Sequence, residues 1–398
     1  MVFSENVRQI EGSSTLAVAA LCRELRAKGR NILDLSVGEP DFRTPDFIAE
    51  AGIASVQQGK THYPPVAGIP ELRKAIADSI RRETGFAADP LDILVSSGAK
   101  QALFNACFTL FGPGDEVLIP SPYWTSYPAL VQLARAEPRI VTSLPERGFK
   151  LTIDELDAAY TPRVRGLILN SPSNPTGVVY TRDEVAAIVE WARRRGIWLI
   201  ADEIYGRICF SAPRAASVLD VTDSLDNLVV IDGASKAFAM TGWRLGHSFA
   251  PRKLTQKMSE VQSQITSGAS APAQYAAAAA FGEVEQSNSA VKAMVEVFHS
   301  RRNDLVAQFR DLLPEVQFVE PDGAFYLFLR VDRYFDEARP DSPAFCRWLL
   351  EQTDVALVPG DAFGDDRFVR LSYAAPTATI QEAVRRLASA VSGTPAHA

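Results

Sequence analysis

The chain has 398 residues and a mass of 43.4 kDa, which excludes a small domain held together by disulfides and allows a large buried core. Apolar residues make up 47% and charged residues 22%, so the composition is that of a globular protein and excludes wholesale disorder. The formal charge of −7 argues against binding to nucleic acid or to an anionic membrane, because both need a basic surface. A small anionic substrate stays compatible, since a few local arginines and lysines can override the global sign.

The four cysteines and the four histidines are scattered along the chain. No CxxC pair is present, which predicts buried, unpaired thiols in a reducing compartment and no zinc site. The N-terminus lacks a charged segment followed by an apolar one, and the alanine-rich run 271–281 is far shorter than the about 20 residues of a membrane span. We therefore expect a cytoplasmic protein.

Short apolar runs alternate with helical patterns in the first two thirds of the chain, which predicts βαβ units. The helix Asp183–Arg195 has apolar residues at helical spacing, with Thr181 as its N-cap and Glu184 as the partner in a capping box. The predicted strands are almost continuously apolar, as in a parallel sheet that is covered on both faces. They are Ile93–Ser96, Glu116–Ile119, Gly166–Leu169, Ile197–Ala201 and Leu228–Ile231.

After about residue 285 the pattern predicts a smaller α+β layer. A long helix, Ser289–Leu312, is followed by two strands, a helix and two more strands. In chain order, these are Val316–Val319, Ala324–Leu329, Pro343–Gln352, Ala356–Val358 and Phe368–Tyr373.

A loop of small residues after the strand 228–231 carries Lys236 and, eight residues later, Arg244. A lysine flanked by Gly, Ala and Ser can have a lowered pKa and act as an amine nucleophile, although a lone lysine is more often a solvated surface residue. Arg244 can reach the same place, where its planar guanidinium can bind a phosphate with two hydrogen bonds. The pair leaves both interpretations open.

Asp202 and Tyr205 follow the strand 197–201. Ligand sites of parallel α/β sheets lie at the carboxyl ends of the strands, so a carboxylate there is a candidate for binding a cofactor. Pyridoxal phosphate needs such an anion to keep its pyridine nitrogen protonated and a phenol near its 3-oxygen. The alternative is a helix N-cap, a position that Asp favours.

Three other polar features follow predicted strands or lie within one. Gly98 opens a turn into a helix around residues 102–110, where backbone N–H groups can hold an anion, although a tight turn explains it equally well. Asn174 lies between two prolines and can donate to an oxygen of a ring or carboxylate, or belong to an ordinary turn. Arg370 interrupts an apolar strand, which favours a carboxylate ligand or a structural salt bridge.

Taken in order, these features resemble those of the class I aminotransferases, the fold-type I pyridoxal-phosphate enzymes. The resemblance extends from about Ser13 to about Leu387. The motifs that carry it are Gly38-Glu-Pro-Asp-Phe42, Tyr63-Pro-Pro-Val-Ala-Gly68, Ser121-Pro-Tyr-Trp124, Asn174-Pro-Thr-Gly177, Asp202-Glu-Ile-Tyr205, and Ser235-Lys236 through Gly242-Trp-Arg244.

The resemblance implies an α/β protein of fold-type I, in which a large domain has a mostly parallel seven-stranded sheet between helices and a smaller domain is α+β. It divides the chain into an N-terminal arm with part of the small domain (1–45), a large cofactor-binding domain (46–285) and a C-terminal small domain (286–398). It also implies a homodimer with active sites at the subunit interface, small-molecule amino-acid and 2-oxo-acid substrates, and no metal.

By similarity, Lys236 would bind pyridoxal phosphate covalently and shuttle the proton during catalysis. Asp202 would pair with the pyridine nitrogen, Tyr205 and Asn174 would bind the edge that carries the 3-oxygen, and Trp124 would stack on the ring. The residues implied around the phosphate are Gly98, Ala99, Lys100, Ser235, Arg244 and, from the neighbouring subunit, Tyr63.

The resemblance also implies substrate contacts. Arg370 would clamp the α-carboxylate, with Gly38, Trp124 and Asn174 in the same pocket. Lys100 stands where one branch of bacterial aspartate aminotransferases has a lysine that reads the distal carboxylate together with a Ser and a Thr, here Ser13 and Thr15. The alternative is that Lys100 only adds charge at the phosphate turn.

Two residues depart from the family pattern. Members that also act on prephenate tend to have lysine where this chain has Glu11, and an acidic group there should repel a second carboxylate. His247 replaces a tyrosine, and we expect it to pack in the core.

The sequence thus predicts a pyridoxal-phosphate aminotransferase that converts L-aspartate and 2-oxoglutarate into oxaloacetate and L-glutamate. One alternative is a broader aminotransferase acting on aromatic amino acids, kynurenine, alanine or prephenate. A fold-type I lyase and a non-catalytic protein that kept the fold are the others.

Overall fold

The structure is a computed structural model that describes residues 3–8, 10, 12 and 14–393. The strands are β1 Leu33–Asp34, β2 Ile93–Ser96, β3 Glu116–Ser121, β4 Glu137–Thr142, β5 Val164–Asn170, β6 Trp198–Asp202, β7 Leu228–Gly233, β8 Gly246–Phe249, β9 Tyr326–Arg330, β10 Val355–Ala356, β11 Val358–Pro359 and β12 Phe368–Ser372. The helices are α1 Glu5–Arg8, α2 Ser14–Ala27, α3 Asp46–Gln57, α4 Pro70–Thr84, α5 Ala99–Leu110, α6 Tyr127–Leu133, α7 Ile153–Ala159, α8 Arg182–Arg195, α9 Arg252–Ile265, α10 Ala271–Gly282, α11 Val284–Leu312, α12 Ser342–Thr353 and α13 Thr377–Val391.

A seven-stranded sheet forms the centre of the molecule, with the strand order β2-β8-β7-β6-β5-β3-β4. Strand β8 runs antiparallel to both of its neighbours, β2 and β7, and the other neighbouring strands are parallel. The predicted fold class is therefore confirmed. The carboxyl ends of β5, β6 and β7 lie side by side, which brings the residues that follow them to one edge of the sheet.

Both faces of this sheet are covered by apolar side chains. On β5, Leu167 and Leu169 belong to one buried cluster and Ile168 to another, and Leu199 and Ile200 alternate in the same way on β6. Successive side chains of a strand point to opposite faces, so a strand that is buried on both faces tends to be apolar at consecutive positions. This is why the sequence revealed the central strands.

Two strands of the sheet escaped prediction. At the sheet edge, β4 has mostly exposed or half-buried residues and so lacks a continuous apolar run. The residues of β8 are Gly-His-Ser-Phe, and all four are buried even though two of them are polar. Strand β8 is short and has no continuous apolar run, so its sequence does not indicate a strand.

The C-terminal layer contains an antiparallel sheet of order β11-β12-β9, and β1 pairs with β10 in a parallel two-stranded sheet. The predicted strand Val316–Val319 is wrong, because only Phe318 forms a bridge, to Leu329, and Pro321 follows shortly with no N–H to donate. The predicted strand 356–358 is divided, since β10 pairs with β1 whereas β11 pairs with β12.

Helix boundaries agree best where a capping residue is present. Thr181 and Glu184 form the predicted capping box at the start of α8, and Gly196 ends that helix in the left-handed conformation with φ 64°. Helix α11 begins at Val284, earlier than the predicted Ser289, and its N-cap Glu283 makes no side-chain capping bond.

The pairing of β1 with β10 joins the predicted N-terminal arm to the C-terminal layer. The domain boundaries at 45/46 and 285/286 themselves stay a proposal. The four cysteines are buried and unpaired, as predicted. Within the described residues, no group of three or more metal-ligating side chains occurs, and no helix is long and apolar enough to span a membrane.

Gly246 lets β8 approach the start of α5. A Cβ at this position would overlap the backbone nitrogen of Ala99, so we expect Gly246→Ala to displace the helix start and lower the free energy of unfolding by about 2 kcal/mol. Urea unfolding measures this loss. Gly112→Ala is the control, because a Cβ there meets nothing within 4 Å. If the two variants are equally stable, the close approach of β8 to the start of α5 is contradicted.

Candidate active site

A cavity of about 450 Å³ lies at the carboxyl ends of the central strands and is bounded on another side by α2. The structure brings most of the predicted site residues to its walls. These are Thr15, Gly38, Ala99, Lys100, Trp124, Asn174, Asp202, Tyr205, Ser235, Lys236, Arg244 and Arg370.

Lys236 follows β7 and points into the cavity rather than into solvent. Its Nζ donates to the carbonyl oxygen of Gly38 at 2.6 Å. Burial lowers the pKa of Lys236 to about 8, and the carboxylate of Glu39 partly opposes this shift. The interpretation of Lys236 as a solvated surface lysine is therefore wrong, and the side chain has the lowered pKa of a candidate amine nucleophile.

Asp202 ends β6 and is 3% exposed. One carboxylate oxygen accepts from the hydroxyl of Tyr127 at 2.7 Å, and the other accepts from the backbone N–H of Ile204 at 3.2 Å. Burial raises the pKa of Asp202 to about 6, although the Tyr127 hydrogen bond opposes the shift. Turns rather than an α-helix follow this strand, so the alternative of a helix N-cap is wrong.

A chain of amide contacts connects Asp202 to Arg370. The Asn170 side chain donates to the backbone oxygen of Asp202 at 2.9 Å and accepts from the N–H of Asn174 at 2.9 Å. Oδ1 of Asn174 in turn accepts from Arg370 at 3.0 Å. Asn170 was not predicted, because an amide at a strand end has no distinctive pattern. The predicted turn at Asn174 is thus held by side chains on both sides.

Arg370 is 2% exposed and lies over the rings of Tyr326 and Phe363. It donates to the carbonyl oxygen of Ser36 at 2.6 Å, while its Nε has no hydrogen-bond acceptor in the part of the chain that the structure describes. No carboxylate among the described residues forms an ion pair with it, so the alternative of a structural salt bridge is wrong. A buried, incompletely paired guanidinium of this kind is suited to a ligand carboxylate.

Tyr205 shares a hydrogen bond of 2.7 Å with the hydroxyl of Tyr326. Burial raises the pKa of Tyr205 well above its ordinary value, so the phenol is neutral. Tyr326 also lines the cavity and was missed, because an aromatic residue in a predicted strand is indistinguishable from an ordinary core residue.

The start of α5 and Arg244 form an anion cradle. The first N–H groups of a helix have no acceptor within the helix and attract negative charge. Gly98 precedes the helix with φ 88°, and a Cβ there would lie 2.7 Å from Nη2 of Arg244. Only glycine therefore admits the guanidinium to the cradle. Ser235 lies buried on the same cavity wall.

Lys100 lies on the first turn of α5 with its Nζ 5.0 Å from the centre of the Trp124 ring. Burial lowers the pKa of Lys100, and the positive charge of Arg244 adds to this effect. The Trp124 ring meets Tyr127 edge to face. Lys100 is thus a cation on an aromatic wall of the cavity.

Four predictions fall elsewhere. Tyr63 is 93% exposed and lines a separate open depression with Ser267 and its neighbours, so a single chain does not bring it to the cavity. Ser13 and Glu11 lie outside the described residues. His247 is buried, contacts Phe281 edge to face, and has its pKa lowered to about 3 by burial, in agreement with a packing role.

Comparisons with known proteins agree with this geometry. The sequence profile of the family described as "Aminotransferase class I and II" matches residues 30–387. The chain belongs to this family. A bifunctional aspartate aminotransferase and glutamate/aspartate-prephenate aminotransferase from Petunia hybrida is 42% identical, over 98% of this chain and 82% of its own. An aspartate aminotransferase from Bacillus subtilis is 36% identical, over 97% and 98% of the two chains.

Solved structures of aminotransferases have the same fold as this chain. Aspartate aminotransferase from Thermus thermophilus with maleate superposes with a TM-score of 0.93 at 38% identity, covering 98% of this chain and 99% of that one. The aspartate aminotransferase from Rhizobium meliloti gives 0.91 at 35% identity, covering 98% and 99% of the two chains. This aminotransferase thus shares both its sequence and its architecture with the family.

The raised pKa of Asp202 predicts a cost of stability in the ligand-free aminotransferase. Between the ordinary value of 3.8 and the value of about 6, the folded state binds more protons than the unfolded state, so stability falls as the pH rises through this range. An asparagine side chain carries no charge at any of these pH values. We therefore expect Asp202→Asn to be more stable than the wild type above pH 6, by about 1–3 kcal/mol, and to lose this advantage below pH 4.

Urea unfolding of the ligand-free proteins at pH 4 and pH 7.5 measures this difference. The exposed Asp304→Asn variant of α11 is the control and should match the wild type at both values. If Asp202→Asn is less stable than the wild type at pH 7.5, burial of the ionised Asp202 carboxylate does not cost the folded protein stability, and the prediction is contradicted.

Proposed function

We propose that this aminotransferase uses pyridoxal phosphate to transfer the amino group of L-aspartate to 2-oxoglutarate in a ping-pong cycle. One observation carries the proposal. The cavity holds a buried carboxylate at Asp202 and buried or half-buried cations at Lys236 and Arg370, and none of them forms an ion pair within 4.0 Å among the described residues. Such groups need a ligand that carries both signs of charge.

The residues present fit the cofactor. Its phosphate would be held by the start of α5 with Gly98, Ser235 and Arg244, where the absence of a Cβ leaves room for the guanidinium. Asp202 would hold the pyridine nitrogen in its protonated form. Tyr205 and Asn174 would bind the edge of the ring that carries the 3-oxygen. When bound, pyridoxal phosphate supplies an electron sink for the Cα of the amino acid.

The protein's own groups would orient the substrate and move one proton. Arg370 binds the α-carboxylate and so fixes the direction of the Cα–H bond. The amine of Lys236, which has a pKa of about 8, can take a proton from Cα and return it at neutral pH. Lys100 and Thr15 line the same cavity and are proposed to bind the distal carboxylate of aspartate.

The names of the relatives favour aspartate as the substrate, because the Bacillus subtilis and Petunia hybrida proteins carry it in theirs. Several relatives are also named for prephenate, including one from Nitrosomonas europaea. The expectation that Glu11 disfavours prephenate stays a prediction. The unpaired cysteines accord with the cytoplasm, which we propose as the location.

Lys236→Ala removes the only group proposed to bond covalently to the cofactor. We expect this variant to bind pyridoxal phosphate but to lack the absorbance band of the lysine-bound form and to lose turnover by several decades. Absorbance spectra and an assay of oxaloacetate formation from L-aspartate and 2-oxoglutarate measure both effects. Wild-type turnover in this variant would end the mechanism.

We further propose a homodimer in which Tyr63 reaches the phosphate of the partner's site. Its 93% exposed phenol lies away from this chain's own cavity, which supports a role toward a second copy. Tyr63→Phe should raise the Kd for pyridoxal phosphate roughly tenfold, the effect of losing one hydrogen bond to a charged group.

A mixed dimer tests whether Tyr63 acts across the interface. Combining Tyr63→Phe chains with Lys236→Ala chains leaves one intact site per mixed dimer if Tyr63 serves the partner, and no intact site if it serves its own chain. We expect the mixture to regain wild-type cofactor affinity at one site per mixed dimer. If verified mixed dimers have no site with wild-type cofactor affinity, the proposal that Tyr63 acts across the interface is contradicted.

A further inference from the structure

One face of α2 lies along the cavity and carries an arginine, Arg23, in addition to the residues proposed to bind cofactor and substrate. Thr15, Ala19 and Arg23 are spaced by four residues and all line the cavity, together with Leu16. Residues at this spacing share one face of a helix and are separated by about 6 Å along its axis. Arg23 is exposed, so it lies at the opening of the cavity.

The neighbouring basic residues Arg26, Lys28 and Arg30 are paired, whereas Arg23 has no partner among the described residues. Arg26 bonds to the backbone oxygen of Ile32 and approaches Asp34, Lys28 pairs with Glu24, and Arg30 pairs with Asp354. Toward the part of the chain that the structure describes, Arg23 makes no hydrogen bond, ion pair or ring contact. Its guanidinium is therefore available to a ligand.

The other cations of the cavity have positions that suit other parts of the ligand. Arg370 is buried at the base, Arg244 lies at the anion cradle and Lys236 bonds to Gly38. Glu39, the exposed acidic residue of the lining, accepts a hydrogen bond from Thr241 at 2.7 Å. Lys100 and Arg23 are the remaining cations of the lining. They are therefore the cations left to meet the other end of a substrate that Arg370 binds.

We propose that Arg23 is a specificity-determining residue that binds the distal carboxylate of dicarboxylic substrates at the opening of the cavity. This inference rests on the proposed function. A guanidinium can grip a carboxylate with two parallel hydrogen bonds, which the single ammonium of Lys100 cannot do. Arg23 therefore adds directional selectivity to the charge that Lys100 supplies.

The effect is expected to be modest, because Arg23 is exposed to solvent and its ion pair is screened. Arg23→Gln should raise the Kd for maleate, an unreactive dicarboxylate, about fivefold in the cofactor-loaded enzyme. Binding of propionate, which has one carboxylate, should be unchanged. The KM for L-aspartate should rise by a similar factor at unchanged kcat, and the half-reaction with alanine should keep its rate.

Absorbance titrations with maleate and propionate measure the two affinities. Arg23→Lys should recover only part of the maleate affinity, since it restores the charge without the fork. Lys28→Gln is the matched control, because this lysine lies one residue beyond α2, pairs with Glu24 and does not line the cavity. It should behave as the wild type.

The outcomes separate this inference from the proposed function. In one outcome, the wild-type enzyme prefers maleate to propionate, Lys100→Ala removes this preference, and Arg23→Gln leaves it unchanged. The assignment of aspartate as the substrate then stands, and the role of Arg23 is overturned. If Arg23→Gln weakens maleate and propionate equally, the role of Arg23 in reading the distal carboxylate is also overturned. If the wild type shows no preference for maleate, the assignment of an acidic substrate fails and the inference fails with it.

Discussion

Charges of opposite sign lie buried in one cavity with no ion-pair partner among the described residues, and the rest of the site depends on this constraint. Asp202 is 3% exposed and Arg370 2%, and no ion pair joins either to a described residue. Burying such groups costs free energy unless hydrogen bonds and an opposite charge compensate. Tyr127 and Asn174 supply part of the compensation through hydrogen bonds of 2.7 and 3.0 Å. A ligand that carries both signs of charge would supply the rest of the compensation. The free energy that the ligand-free protein loses by burying these charges is then recovered when cofactor and substrate bind.

The fold keeps these charges apart by placing them on different elements. Asp202 ends a parallel strand of the large sheet, whereas Arg370 lies on β12 of the antiparallel C-terminal sheet. The hydrogen bonds of Asn170 and Asn174 connect Asp202 on the large sheet to Arg370 on the C-terminal sheet and so fix the distance between these two residues. Gly98 has the same kind of role at the cradle, since a side chain there would exclude Arg244. Small or amide side chains thus set the distances between the charged ones.

The central strands could be predicted from the sequence, because continuous apolar runs are visible locally. The same pattern drew attention to Asp202, Lys236, Arg244 and Arg370, which line one cavity, but their roles came from the family resemblance. The strand β8 could not be predicted, since its burial follows from neighbours that are distant in sequence. Tyr127 and Asn170 were missed for a related reason. Tyr127 donates to the carboxylate of Asp202, and Asn170 bonds to the backbone of Asp202 and of Asn174. Neither residue type is distinctive at its position. The role of Tyr63 depends on a second chain, so neither the sequence pattern nor one subunit fixes it.

The cavity is proposed to hold a cofactor on Lys236 and to accept an acidic amino acid. The most direct measurement is an absorbance spectrum of the cofactor-loaded wild type before and after addition of L-aspartate alone, and then of 2-oxoglutarate. We expect aspartate to convert the band of the lysine-bound cofactor into that of the amine form, and 2-oxoglutarate to restore it. An unchanged spectrum with aspartate, together with conversion by alanine or phenylalanine, would contradict the acidic substrate. Absence of the initial band would contradict the cofactor itself.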